Sequence, residues 1–291
     1  MSVPLSPQLP PGSTRLSLPT EGGLLAAVRI DPPPGIAVRR EVLLVPGFTG
    51  SKEDFAAVLG PIAAAGHAVT AIDQRGQLDS GGLAEDEAAY GVMALAADVV
   101  QILSSMRRPV HLLGHSYGGL VTRAATLTAP GLVTTLTLLG SGPAGIPPPA
   151  ADRLRYLRPV LDRGGVAAVW AAKEALDAAE PGYVAPGPEL ASFLRRRYLA
   201  MSPACLGGMA QGLLDEPDRV ADLVATEVPV LVLHGVDDDA WPPAVQAEMA
   251  QRLGARYDVV PAAVHSPAAE NPSATVAVLC DFWRSHDGAR G

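Results

Sequence analysis

Six short, nearly continuous apolar runs limit most strongly what this chain can become. They are "EVLLVPG", "HAVTAIDQRG", "PVHLLGHS", "LVTTLTLLGSG", "VPVLVLHG" and "ARYDVVPAAVH", spread between Glu41 and His265. A strand with one wet face alternates apolar and polar residues, whereas runs this continuous read as strands buried on both faces of a parallel sheet. Parallel neighbours need long crossovers, and the intervening segments have helical spacing: "EDFAAVLGPIAAAG", "YGVMALAADVVQILSSM", "LVTRAATLTAP", "PAVQAEMAQRLG" and "PSATVAVLCDFWRSH". Ahead of them, "TRLSLPTEGGLLAAVRID" reads as an antiparallel hairpin turning at Glu21 to Gly23, at a sheet edge. The expected fold class is α/β, a doubly wound and mostly parallel sheet.

One interval breaks the alternation. From Ser141 to Thr226 no buried-strand run occurs, while "DRLRYLRPVLDR", "GGVAAVWAAKEALDAAE", "ELASFLRRRYLAM" and "PACLGGMAQGLLDEPDRVADL" show helical spacing. The reading is a core domain of residues 1–140 and 227–291 carrying a helical cap, 141–226, its edges marked by "GSGPAGIPPPA" and "ATEVP". Such a cap is expected over the C-terminal ends of the strands, where ligands bind in open α/β sheets. Trp170, Phe193, Tyr198, Met201 and Met209 are its candidate core or acyl-pocket residues. The run Arg195 to Arg197 is expected to be a solvated face, since the insertion carries nine basic and ten acidic residues; a polyanionic substrate is not indicated.

The chemistry concentrates in "VHLLGHSYGGLVTRAA", Val110 to Ala125. An apolar strand runs into a glycine-flanked serine and turns at once into a helix, the GxSxG pattern in which small residues let the backbone close around a nucleophile. A serine hydroxyl attacks poorly at neutral pH unless a neighbouring base takes its proton.

In these residues the chain resembles the α/β-hydrolase superfamily, in its serine esterase and lipase-like branch with a helical cap. The resemblance runs from about Glu41 to the final helix and implies an eight-stranded sheet. Ser116 matches the nucleophile, and the family's chain order of nucleophile, acid, histidine asks for a carboxylate after a late strand and a histidine after the last. His265, in "VVPAAVHSPAAENP", is the candidate base. Asp237, Asp238 and Asp239 compete for the acid in "LVLHGVDDDAWPP"; the GxxDxxxP pattern, through Gly235 and Pro242, selects Asp238, with Asp239 as its competitor. An oxyanion hole needs two backbone amides. Tyr117, next after the nucleophile, should give one, and the resemblance assigns the other to Phe48. Relatives commonly have His-Gly where this chain has Pro46-Gly47, which leaves open how that loop is braced. "DQRGQLDSGG", Asp73 to Gly82, resembles the family's DxRGxGxS loop with Gln77-Leu78 in the glycine region, and Asp73 and Arg75 are expected to hydrogen-bond neighbouring loops.

Composition narrows the partners. The 291 residues carry a formal net charge of -8, which argues against nucleic acid or an anionic membrane and leaves a small-molecule substrate; nothing specifies an oligomeric state. No run approaches membrane-spanning length, and the first residues lack the basic start and apolar stretch of a secretory leader. Cys205 and Cys280, the two cysteines, show no metal spacing and are expected to be reduced, packed thiols of a cytoplasmic protein. The expected activity is a serine hydrolase, using no metal or cofactor, that cleaves a carboxylic ester, or a thioester, lactone or amide, through an acyl-serine. Rivals are a cofactor-free perhydrolase or haloperoxidase-like enzyme, a carbon-carbon bond hydrolase, and a receptor that binds with little turnover.

Overall fold

A computed structural model describes residues 3–81, 84–180 and 182–288. Strands β1 (Thr14–Thr20) and β2 (Gly23–Ile30) form the expected hairpin, with Thr20 paired to Gly23. The six apolar runs become β3 (Glu41–Val45), β4 (Ala68–Ile72), β5 (Val110–His115), β6 (Val133–Leu139), β7 (Val230–Gly235) and β8 (Arg256–Val260). They form one eight-stranded sheet in the order β1-β2-β4-β3-β5-β6-β7-β8. β2 runs antiparallel to β1 and β4, and every other pairing is parallel.

Successive side chains of a strand point to opposite faces, and here both faces are dry. Leu43 and Val45 of β3 and Leu112 of β5 join one core cluster, with α2 (Val92–Ser105) and α3 (Tyr117–Thr128). Val42 and Leu44 of β3 and Leu113 of β5 join the other, with α1 (Ala56–Ala64). The continuous apolar runs are therefore the imprint of two cores on one sheet. β8 departs from that expectation. Tyr257 and Val259 are exposed there, because β8 is the last strand. Arg256 pairs with Asp258 and Asp281 on this edge, and charge of this kind protects an unpaired strand from further pairing.

Among the described residues, four helices lie between β6 and β7: α4 (Ala150–Ala179), α5 (Pro188–Leu199), α6 (Pro203–Asp215) and α7 (Val220–Val224). Two of the predicted helical segments are joined in α4, bent at Gly165, whose φ of 68° a side chain would resist. Arg123 of α3, fully buried, clamps both ends of the insertion. Its guanidinium donates to the Gly142 and Pro143 carbonyls at the start and to Glu216 (2.9 Å) and the Pro217 carbonyl at the end. Burial works against its charge and Glu216 supports it.

The expectation of a solvated Arg195 to Arg197 run fails at Arg197. That residue is 1% exposed and pairs with buried Asp54 at 2.6 Å. Charge counting missed it because helical geometry turns one residue of three inward. Trp170, Phe193, Tyr198, Met201 and Met209 are all buried in the first core cluster.

The chain then closes with α8 (Pro243–Leu253), a single turn α9 (Pro267–Glu270) and α10 (Pro272–Arg284), which joins α1 in the second core. Cys205 and Cys280 are buried free thiols; burial raises the pKa of both, Cys280 to about 11. Among the described residues no helix is long and apolar enough to cross a membrane.

Candidate active site

Ser116 sits between β5 and α3 at φ 55°, ψ -121°, a left-handed conformation that a side chain enters only under strain. Its flanking glycines hold it there by allowing close approach. A Cβ on Gly114 would lie 2.2 Å from the Gly118 carbonyl oxygen, and one on Gly118 would lie 2.4 Å from the carbonyl oxygens of Val45 and Pro46. The Ser116 amide donates to the Leu139 carbonyl at 2.8 Å, tying the turn to β6.

The loop after β8 brings His265 over this serine, with Nε2 3.0 Å from Ser116 Oγ. His265 Nδ1 lies 3.0 Å from Asp238 Oδ1, in the loop after β7. With the proton on Nδ1, the ring donates to Asp238 and accepts from the serine hydroxyl. Asp238 is buried, whereas Asp237 and Asp239 are exposed. Burial alone works against an ionised Asp238. Hydrogen bonds from His265, the Ala240 amide and Gln246 outweigh it and hold the carboxyl below the usual aspartate range. Gln246 of α8 reaches Asp238 Oδ2 at 3.0 Å and the Trp241 carbonyl at 2.8 Å, so the carboxylate cannot rotate away. Ligand-type atoms of Asp238, Asp239 and His265 lie within 4.8 Å of one another, but both imidazole nitrogens and both Asp238 oxygens are already in hydrogen bonds.

His115, read from sequence as the variable position of the GxSxG turn, has a specific partner. Its Nε2 donates to the His265 carbonyl at 2.7 Å, linking the serine turn to the histidine loop. Burial first, and then the nearby His265 ring, lower its pKa to about 4. An unfolded chain takes up this proton near pH 6.5, well before the folded one. Folded stability is therefore unaffected by His115 above about pH 6.5 and falls as pH drops from there toward 4. His115→Gln keeps an amide donor and removes the titration. Between pH 7 and 4 the wild type is expected to lose roughly 3 kcal/mol more stability than this variant, read from urea denaturation at both pH values. Parallel losses in the two proteins would contradict the assignment.

The loop after β3 packs directly against the turn, with a Cβ on Gly47 placed 2.9 Å from Ser116 Cβ. Its brace answers the question raised by Pro46. Gln74 Nε2 donates to the Pro46 carbonyl and Gln77 Nε2 to the Gly47 carbonyl, both at 2.8 Å, while Gln77 Oε1 accepts the Gln74 amide at 3.0 Å. Both glutamines are buried. Leu78 takes a positive φ of 34°, so the backbone keeps the shape that the family's glycine favours. Asp73 Oδ1 accepts the Lys52 amide at 2.7 Å, and the buried Lys52 ammonium meets Asp73, Asp79 and Glu53. Burial opposes that charge, but the carboxylates prevail and hold the lysine above its ordinary range. Arg75 pairs with Asp98 of α2 at 2.7 Å. Gly82, the last residue of the motif, lies outside the described residues.

From the other side, Asp54 Oδ2 accepts the Ser51 amide at 3.3 Å while Oδ1 takes Arg197 of α5, linking this loop to the insertion. Phe48 is partly buried against the first core cluster. Tyr117 opens α3, where backbone amides have no intrahelical acceptor, and its buried hydroxyl donates to the Tyr90 carbonyl at 3.0 Å. Gln74, Gln77 and Arg197 carried no signal in one sequence, because each acts on a segment remote along the chain; Gln246 acts only eight residues away, on Asp238, but no motif marks it.

Comparison with known proteins agrees with the fold. A family model described as "Alpha/beta hydrolase family" matches residues 42–278. The "Putative carbamate hydrolase RutD" of Variovorax paradoxus (strain S110) is 41% identical over 108 residues, a match spanning 37% of this chain and only 40% of that relative. A non-heme haloperoxidase of Rhodococcus erythropolis is 29% identical over 268 residues, covering 84% of this chain and 93% of that protein. Among solved structures, a thermophilic esterase from Thermogutta terrifontis superposes with a TM-score of 0.75 at 23% identity, covering 94% of this chain and 99% of that one.

Proposed function

Because the chain belongs to the alpha/beta hydrolase family, we propose that it is a serine hydrolase cleaving a carboxylic ester of a small to medium, largely apolar substrate. The observation that carries this reading is the continuous hydrogen-bond chain from Asp238 through His265 to Ser116. Ser116 Oγ passes its proton to His265 Nε2 as it bonds to the substrate carbonyl carbon. Asp238 fixes the tautomer that leaves Nε2 free to accept, and stabilises the imidazolium. The Phe48 and Tyr117 amides take the negative charge that develops on the carbonyl oxygen. His265 then protonates the departing alkoxide, and the same base activates water to release the acid and restore Ser116.

In this reading, residues 141–226 act as the cap. The support is their attachment to segments around the serine: Arg197 holds Asp54, and Arg158 of α4 holds Glu87 at 2.8 Å. A Cβ on Gly212 of α6 would lie 2.7 Å from the Tyr117 hydroxyl. The apolar insertion residues favour an acyl group without charge. Thioesters, lactones and amides share the acyl-serine route.

A panel of p-nitrophenyl esters of rising acyl length, run beside amides and lactones, tests the substrate class. Turnover is expected to be highest for esters and to fall once the acyl chain outgrows the site; uniform inactivity on all three classes would remove the reading. A second reading, perhydrolysis, is favoured by the haloperoxidase relative. Hydrogen peroxide would replace water in attacking the acyl-serine and release a peracid, which bromide oxidation detects.

A further inference from the structure

We propose that His67, His111 and Asp287 form a divalent-cation site, suited to Zn²⁺, at the end of the sheet opposite Ser116. His67 immediately precedes β4, His111 is the second residue of β5, and Asp287 follows α10. Three distant segments thus deliver two imidazoles and a carboxylate whose ligand-type atoms lie within 4.8 Å of one another. The site is independent of the hydrolase reading, since Ser116 lies past the far end of β5.

Two observations separate this cluster from an ordinary buried histidine pair. First, His67 has no exposed surface, and both of its ring nitrogens lack a hydrogen-bond partner. Buried polar groups of this kind are rare and costly to leave unpaired. A ring nitrogen with no hydrogen-bond partner keeps a lone pair available to an ion. Second, His111 Nε2 and Asp287 Oδ1 stand 3.2 Å apart. That is the long limit of a hydrogen bond. It also matches two ligands on one tetrahedral ion, whose edge is about 3.3 Å for bonds of about 2.0 Å.

The surroundings fit the donor set. His111 Nδ1 lies 2.8 Å from Thr135 Oγ1; a proton there points Nε2 at the ion, the outer-shell arrangement common among ligating histidines. The Arg40 backbone also faces His67, short of a hydrogen bond, and could receive the N–H of a metal-bound ring. Two nearby cations compete least where they stand. Arg40 donates to the Pro109 and Asp287 carbonyls and so leaves the Asp287 carboxylate to other partners. Arg39 approaches Asp287 Oδ2 at 3.8 Å from a half-exposed position. The carboxylate is 15% exposed, which gives an ion access, and water completes the fourth position. Trp283 stacks on His111 and meets His67 edge-on, holding both rings in place. A bound ion would tie the segment after α10 to the sheet.

The test uses the full chain stripped with chelator and dialysed. Titration with Zn²⁺ by calorimetry, and with Co²⁺ by its visible absorption bands, is expected to give one ion per chain with tetrahedral band intensity. Zn²⁺ should raise the melting temperature. His67→Gln and Asp287→Asn are each expected to weaken binding by more than the 10–100-fold that follows loss of an outer-shell partner, and Thr135→Val to fall within about that range. His286→Ala and His265→Ala should bind as wild type does. Absence of saturable binding would overturn the proposal and mark the cluster as holding only water or a proton. So would binding that survives His67→Gln or Asp287→Asn, or that disappears with His265→Ala, which would locate the ion beside Ser116. If His67→Gln does not fold, Asp287→Asn decides, because its side chain lies at the rim.

Discussion

Ser116→Ala is expected to lower kcat by about 10⁶-fold, the scale seen when a hydrolase nucleophile acting within a triad is removed. The change deletes one oxygen and leaves Cβ, so the packing of Gly47 against it is kept, and the unusual backbone angle at Ser116 is no worse for alanine. Melting temperature should therefore shift by only a few degrees. The two readouts together separate chemistry from folding. Steady-state hydrolysis of a p-nitrophenyl ester measures the first and a thermal melt the second. A folded variant retaining more than about a hundredth of wild-type kcat would show that the acyl group is carried elsewhere.

Asp238→Asn is expected to cost about 10⁴-fold in kcat with KM largely unchanged. The carboxylate accepts four hydrogen bonds: from His265, the Ala240 and Trp241 amides, and Gln246. An asparagine amide placed toward His265 would meet Nδ1 as a donor and favour the tautomer with its proton on Nε2, where it blocks acceptance from Ser116. Asp237→Asn and Asp239→Asn remove exposed charges and should stay within about tenfold of wild type, since surface pairs carry little energy. Melts of all three keep a folding defect from passing as a catalytic one. Loss of activity in folded Asp239→Asn instead would move the acid one residue along the turn.

Particular residues explain why the sheet was legible and parts of the site were not. Leu43 and Leu44, or Leu112 and Leu113, enter opposite cores, so burial on both faces wrote an unbroken apolar run that no helix boundary obscured. Where β8 reaches the edge that logic fails, and Tyr257 and Val259 are exposed. The GxSxG turn was legible because its residues are contiguous: Gly114 is demanded by a clash four residues on, with the Gly118 carbonyl, although the clash that demands Gly118 comes from the distant Val45 and Pro46. His265 and Asp238, which the structure brings into line with Ser116, were found through their order along the chain. The braces were not. Gln74 and Gln77 hold a loop about 30 residues away, and Arg197 reaches Asp54 from 143 residues along the chain. Such pairings become visible only when the fold closes the distance. His115 illustrates the same point, since its bond to the His265 carbonyl reaches a loop 150 residues away.

If Ser116 is an activated nucleophile, a fluorophosphonate labels it. An activated serine attacks phosphorus as it attacks a carbonyl carbon and cannot then be released by the same machinery. Intact mass is expected to rise by one adduct per chain, peptide mass to assign the adduct to Ser116, and Ser116→Ala to prevent labelling. A folded wild-type protein whose mass never shifts, or whose adduct maps to another residue, would contradict it.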